Sequence, residues 1–259
     1  MNPTNITWTE RTWNPVTGCE KVSPGCKHCY ATELHNKRND SYLNGKLLEH
    51  GQYALPFSQV QFLPERLSEP LHHRKPRLIF LASMGDLMHE ALTDAQINAV
   101  LDTCRAAHWH KFQILTKRPE RLHCFDFPPN VWVGVTVEDR QHGLPRVDSL
   151  REIPAGGRFL SCEPLLEDLG PLELAGIDVV IAGCESGAKD KRRPCRIEWV
   201  RGLRDQCAAA SVGFHLKQLY EGTRLVSLPE LDGRQYRDMP EGSALWQRYC
   251  MAAGRGVHP

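Results

Sequence analysis

No apolar stretch in this sequence approaches the ~20 residues that a membrane-spanning helix needs. Runs such as residues 78–82 and 179–182 are far shorter, so a transmembrane helix is not expected. Neither sign of charge is in excess: 32 Lys and Arg face 31 Asp and Glu, a formal net charge of +1. That balance leaves no molecule-wide electrostatic footprint for nucleic acid or a membrane surface. The opening MNPTNITWTERTW lacks a basic segment followed by an apolar core, so no secretory signal is read and the cytoplasm is the expected compartment. Internal repeats and low-complexity segments are also missing. What remains is the composition of an ordinary globular chain, 259 residues with 41% hydrophobic and 24% charged. That is enough to bury a substantial core in one domain with insertions, or at most two.

Cysteine, by contrast, is plentiful. Ten thiols in a reducing compartment do not read as a disulfide framework. Seven of them (Cys104, Cys124, Cys162, Cys184, Cys195, Cys207 and Cys250) are scattered and read as small buried hydrophobes. Cys19, Cys26 and Cys29 are clustered as C-x6-C-x2-C in a loop that holds Pro24 and Gly25 and follows Gly18. Three thiolates on one loop suit a soft metal centre: zinc, copper(I) or an iron-sulfur cluster. The fourth ligand separates these. Structural zinc wants a closed tetrahedral set, completed by His28 or a distant Cys, whereas a cubane on three cysteines leaves one iron open to a small molecule. The spacing leaves cluster, zinc and unliganded cysteines all open.

From residue 78 onward, apolar runs alternate with amphipathic segments. Strands are expected over residues 78–83, 112–116, 131–137, 158–161, 178–182 and 213–217, and helices over 31–38, 94–107 with Thr93 as N-cap, and 198–210. This rhythm implies a parallel sheet covered on both faces, and its repetition suggests a full or partial barrel. Each strand ends in polar residues: Ser83-Met84-Gly85-Asp86, Thr116-Lys117-Arg118, Thr136-Val137-Glu138, Ser161-Cys162-Glu163-Pro164, Gly183-Cys184-Glu185 and Lys217-Gln218. Polar loops are ordinary, but six strand ends carrying acids, bases and small residues together point to a site along that edge. Residues 39–77, with four prolines and the basic His72-His73-Arg74-Lys75, read as an insertion after the first helix. After Leu219 the rhythm stops. There, residues 224–227 and 234–236 flank Leu231-Asp232-Gly233, whose Asp-Gly pair favours a tight hairpin turn. Residues 219–259 are thus expected as an extension packed on a unit spanning 1–218.

The string Trp8-Thr9-Glu10 to Trp13-Asn14-Pro15-Val16-Thr17-Gly18-Cys19, continuing to Ser23-Pro24-Gly25-Cys26-Lys27-His28-Cys29-Tyr30-Ala31, resembles the opening of the three-cysteine-motif phage protein family. That family is related to radical S-adenosylmethionine (SAM) iron-sulfur enzymes. Met84-Gly85-Asp86-Leu87-Met88-His89, Leu115-Thr116-Lys117-Arg118-Pro119, Val133-Gly134-Val135-Thr136-Val137-Glu138, Leu160-Ser161-Cys162-Glu163-Pro164 and Leu231-Asp232-Gly233-Arg234 follow in the same order.

The resemblance implies an α/β fold, a partial (β/α) barrel of the radical SAM type. It would have about six to seven mostly parallel strands and a C-terminal hairpin extension. It also implies a [4Fe-4S] cluster on Cys19, Cys26 and Cys29, with SAM chelating the open iron. The gap of six between the first two cysteines departs from the common radical SAM spacing of three. By position, Tyr30 falls beside the adenine, Ser83, Gly85 and Asp86 at the methionine amino group, Lys117 at a carboxylate and Glu138 at a ribose hydroxyl, with Thr136 also among the cofactor-binding residues. Glu163, Glu185 and Lys217 become candidates for substrate contacts, and Cys162 for a hydrogen-atom donor. Plain alternatives stand beside them: a Glu163–Lys217 salt bridge, a cap or surface role for Asp86 and Glu138, and simple packing for Cys162 and Cys184.

The implied reaction is cleavage of SAM to a 5'-deoxyadenosyl radical for hydrogen abstraction, from a substrate such as a nucleobase or nucleic acid. Flavodoxin or ferredoxin would donate the electron. The competing reading is a zinc- or cluster-stabilised barrel that binds nucleic acid or a partner protein without catalysis. The basic run Lys189, Lys191, Arg192, Arg193 and Arg196 reads as a solvated loop, or, if it joins residues 72–75 at the rim, as a phosphate-neutralising patch. Trp109 and Trp132 read as core.

Overall fold

The computed structural model describes residues 1–47, 51–187 and 190–239. Lys189, Cys250 and the last part of the expected C-terminal extension lie outside the described residues. Nine strands form one sheet. They are β1 (Asn2–Pro3), β2 (Arg11–Trp13), β3 (Leu78–Leu81), β4 (Lys111–Thr116), β5 (Val131–Thr136), β6 (Gly157–Cys162), β7 (Val179–Gly183), β8 (Gly213–Glu221) and β9 (Arg224–Ser227). They lie side by side in chain order. From β2 to β8 the pairing is parallel, and β1 and β9 add antiparallel edges. β1 and β9 do not pair with each other, so the sheet is open.

Among the described residues, four α-helices accompany it: α1 (Tyr30–Leu43), α2 (Asp94–Ala106), α3 (Leu144–Arg151) and α4 (Ile197–Ala210). A sheet whose parallel strands never reverse their order has crossovers of one hand, which deposit their helices on one face. The core follows this rule. Ile97 and Leu101 of α2, Leu150 of α3 and Val200 and Leu203 of α4 pack with Ile79, Leu81, Ile114, Val133, Leu160, Val180 and Leu216. The alternate side chains of the same strands, Leu78, Phe80, Trp132, Phe159, Val179 and Ile181, form a second cluster closed by Trp8. Both faces are covered, as expected, but by different means: helices on one, the N-terminal segment on the other. The Trp8 and Phe80 rings stand 4.6 Å apart.

Six of the nine strands fall where the apolar runs put them. The expected N-cap is present, with Thr93 and Gln96 forming a reciprocal capping box at the start of α2. β2 was not expected, because it is three residues long and begins Arg-Thr. The eight-residue α3 carries only three buried positions, Arg146, Val147 and Leu150, too short a stripe to read.

The C-terminal hairpin differs from the expectation. Arg224–Ser227 pairs with the end of β8, and the strand entering the Asp232-Gly233 turn is Glu230–Leu231, paired with Arg234–Gln235. Both turn residues take positive φ, 54° and 79°, as a mirror-image hairpin turn requires. β8 itself runs through residue 219, so the chain beyond 218 continues the main sheet. Within 39–77, Gln61–Phe62 pairs with Val16–Thr17, which ties the insertion to the segment leading into the cysteine loop.

Candidate functional site

The carboxyl ends of the parallel strands converge on a cavity of about 280 Å³, at the lower end of the range of roughly 300–1,000 Å³ for small-molecule sites. Cys19, Cys26 and Cys29, on the loop after β2, line it with Tyr30, the first residue of α1. Ser83, Gly85 and Asp86 enter after β3, Lys117 after β4, and Thr136 from the end of β5. Glu163 follows β6, Glu185 follows β7, and Lys217 comes from β8. Trp8, Phe80 and Leu115 supply an apolar wall. Of the residues expected in the site, Glu138 and Cys162 alone do not line it.

The cysteine loop is held on three sides. Gly18 has φ +92°, and a Cβ there would stand 2.6 Å from the Gln59 carbonyl oxygen, so only glycine fits the turn into the loop. Gly18 also bridges to Gly85, aligning the chain after β2 with the chain after β3. Below the loop sits Glu138, fully buried. One oxygen accepts from Ser23 Oγ and the other from Arg146 Nη1 at 2.6 Å. A Cβ on Gly25 would meet Glu138 at 3.0 Å. Glu138 therefore anchors the cysteine loop from beneath rather than facing a ribose. From the far side Arg193 Nη1 donates to the Pro24 carbonyl at 2.8 Å.

Arg193 also grips Glu185, through its Nε at 2.9 Å, its backbone N–H at 2.9 Å and a short Nη2 contact. Burial alone raises the Glu185 carboxyl, but the hydrogen bonds and charge of Arg193, helped by His28, outweigh it and hold it below the ordinary range. This corrects the reading of the basic run. Arg193 points inward. Arg192 donates to the Gly187 carbonyl at 2.8 Å and lies over the Tyr220 ring, and Arg196 lies over Trp199. Residues 72–75 are at the opposite edge of the sheet, where His73 accepts from Trp109 Nε1 just before β4 begins. The two basic segments do not merge.

Asp86 is saturated with donors. It accepts from the Met88 N–H at 3.0 Å and Thr116 Oγ1 at 2.7 Å on one oxygen, and from the Lys117 N–H and Arg118 Nη1, both at 3.2 Å, on the other. Arg118 reaches on to Cys19 Sγ at 3.5 Å and to Glu90 at 2.8 Å. Burial, then the Asp86 charge, push the Cys19 thiol up to about 11, against the pull of Arg118. The Tyr30 hydroxyl donates to the Ser83 carbonyl at 2.7 Å.

On β8 the register against β7 slips between Leu216 and Gln218. A bulge of this kind re-aims side chains beside sites, and here Lys217 reaches Glu163. Gln218 joins it, donating to Glu163 at 3.2 Å and to the Cys184 carbonyl at 2.7 Å. The salt bridge offered as the plain alternative for Glu163 thus exists, and both partners still face the cavity. Lys117 Nζ donates to Thr136 Oγ1 at 3.3 Å.

Cys162 is turned away. Side chains alternate along β6, so Ser161 faces the cavity while Cys162 is fully buried among the helix-side residues. Burial pushes its thiol well up. It is a packing residue, not a hydrogen-atom donor. Cys184 packs in the same core.

Arg118 is the residue that sequence reasoning quoted but did not select. Its signal was its place in the Thr116-Lys117-Arg118 strand end. Glu20, His89 and Glu90 were also missed, and their ligand atoms lie within 4.8 Å of one another. Arg118 already occupies that group through Glu90.

Among the described residues, no helix is long and apolar enough to cross a membrane. No curated protein and no solved structure matches this chain. A family model matches residues 3–240, nearly the whole of the fold and all of the cavity described above, and on that match the chain belongs to the family described as "Protein of unknown function (DUF5131)".

Proposed function

We propose that this cavity holds a [4Fe-4S] cluster on Cys19, Cys26 and Cys29 with SAM beside it, and that the protein is a radical SAM enzyme whose open sheet is a partial barrel of that type. One observation carries the reading: the three clustered thiols and the polar ends of β3 to β8 line a single cavity. The donor set fits the group, since three thiolates suit a soft iron-sulfur centre.

Bound there, the cluster and SAM supply a one-electron reductive cleavage, with flavodoxin or ferredoxin as donor, and a 5'-deoxyadenosyl radical that abstracts hydrogen. The chain's own part is to bind, orient and keep water out. Arg118 sets a positive charge beside Cys19, offsetting thiolate charge. Trp8, Phe80 and Leu115 make the wall dry. Glu163, Lys217, Lys117 and Glu185 offer charged contacts to SAM or substrate. Of the two substrate sizes considered, a nucleobase or nucleoside suits this cavity better than a polymer, because Arg192, Arg193 and Arg196 are engaged within the chain and residues 72–75 stand at the other edge.

Anaerobic reconstitution tests the reading. About four irons and four sulfides per chain, with SAM binding that requires them, are expected. Cys26→Ala should lose the iron while Cys104→Ala, on the buried face of α2, keeps it. One zinc in a colourless protein, or full iron in Cys26→Ala, would overturn the proposal and favour the non-catalytic binding reading.

A further inference from the structure

A second cavity, of about 430 Å³, lies behind the cysteine loop. Thr17, two residues before Cys19, and Met84, between Ser83 and Gly85, form part of its wall. Two guanidinium groups line it. Arg38 Nη1 donates to the Tyr53 hydroxyl at 2.6 Å, and Arg66 donates to the Asn14 carbonyl at 3.1 Å and to the Gln52 side chain. Among the described residues, neither guanidinium has a carboxylate oxygen within 4.0 Å. Among the described residues Glu69 is the carboxylate in the wall, and it is paired with the Met1 amino group. Thr17 is 3% exposed, and its Oγ1 has no hydrogen-bond partner. That hydroxyl has no exposed surface, so it offers the cavity no donor.

We propose that this cavity is an anion site for a phosphomonoester, gripped by Arg38 and Arg66. Guanidinium groups present paired N–H donors that match phosphate oxygens, and a wall whose carboxylate is already neutralised repels no anion. At about 30 Å³ per water the volume far exceeds that of a bare phosphate, which leaves room for the esterified group. The inference depends on neither the metal nor the reaction proposed above.

Calorimetry on the full chain with ribose 5-phosphate, inorganic phosphate and acetate tests it, in the wild type, Thr17→Val and Arg38→Gln. Ribose 5-phosphate should bind saturably and acetate far more weakly. Thr17→Val removes a hydroxyl that bonds to nothing within the chain and has no surface on the cavity, so it should keep or raise the melting temperature and leave ribose 5-phosphate affinity unchanged. Arg38→Gln should weaken it tenfold or more. Inorganic phosphate binding as tightly as the ester would support the site and assign it to free phosphate. Acetate binding as tightly as the phosphates would overturn the phosphate assignment. Absence of saturable binding at millimolar concentration, or equal affinity in all three proteins, would overturn the site.

Discussion

Glu138 and Arg146 form an ion pair with almost no exposed surface, and the pair matters through what it supports. Buried pairs contribute little net stability when intact, but removing one partner leaves an uncompensated charge, at a cost of about 3–5 kcal/mol. Glu138→Gln should therefore lower the unfolding free energy by that order in urea titrations, since Arg146 would remain buried. Ser23→Ala removes the hydrogen bond to the same carboxylate and a longer contact with Cys26 Sγ at 3.9 Å, and should cost about 1 kcal/mol. Equal costs for the two would mean that the loop, not the ion pair, dominates. Arg193 works from the other side. Its replacement by Glu should disturb Glu185 and the Pro24 carbonyl together, so any SAM or iron binding should fall with it, measured by titration of the reconstituted protein.

At the scale of elements, the capping box that opens α2 gives the simplest test. Thr93→Ala should cost about 1 kcal/mol of stability by thermal or urea unfolding, without touching the cavity. The same scale shows what was legible beforehand. Runs such as Leu-Ile-Phe-Leu at 78–81 and Val-Trp-Val at 131–133 declare buried strands because a parallel sheet covered on both faces needs apolar residues at every position. The strand ends declared the site because polar residues interrupt those runs. β2 was not legible: its three residues are placed by pairing with β3, a long-range contact with no local signature. Nor was the orientation of Cys162, which depends on the phase of alternation along β6. The bulge that frees Lys217 is likewise a property of the pairing of β7 with β8, and Glu138 looked like any other strand-end acid until the loop that rests on it was in view.

Across the whole molecule, two buried histidines set the response to acid. His110 donates from Nε2 to the Pro70 carbonyl and accepts the Arg77 N–H at Nδ1, both at 3.1 Å, which assigns it as the neutral Nε2–H form. Burial holds its pKa down to about 4, and burial with Arg237 and Lys217 does the same to His215. Both lie below the ordinary 6.5, so the unfolded chain takes up these protons first. The stability they contribute is fully present above about pH 6.5 and is lost as pH falls through about 4, with an order of 3 kcal/mol for each. Urea midpoints measured from pH 7.5 to 4 should show this decline, and His110→Gln should flatten part of it. A flat profile in the wild type would contradict the burial of both rings.

The strand order has a consequence for biosynthesis. Strands laid down in chain order allow each new strand to dock on the previous one as the ribosome delivers it, yet the cysteines arrive first and the last of their restraints arrives late. Arg193, which closes over Pro24, is 169 residues downstream of it. A nascent chain therefore carries its three thiols on a loop that is only partly fastened until α4 begins, and any metal delivered to a finished pocket must be delivered after translation has passed that point.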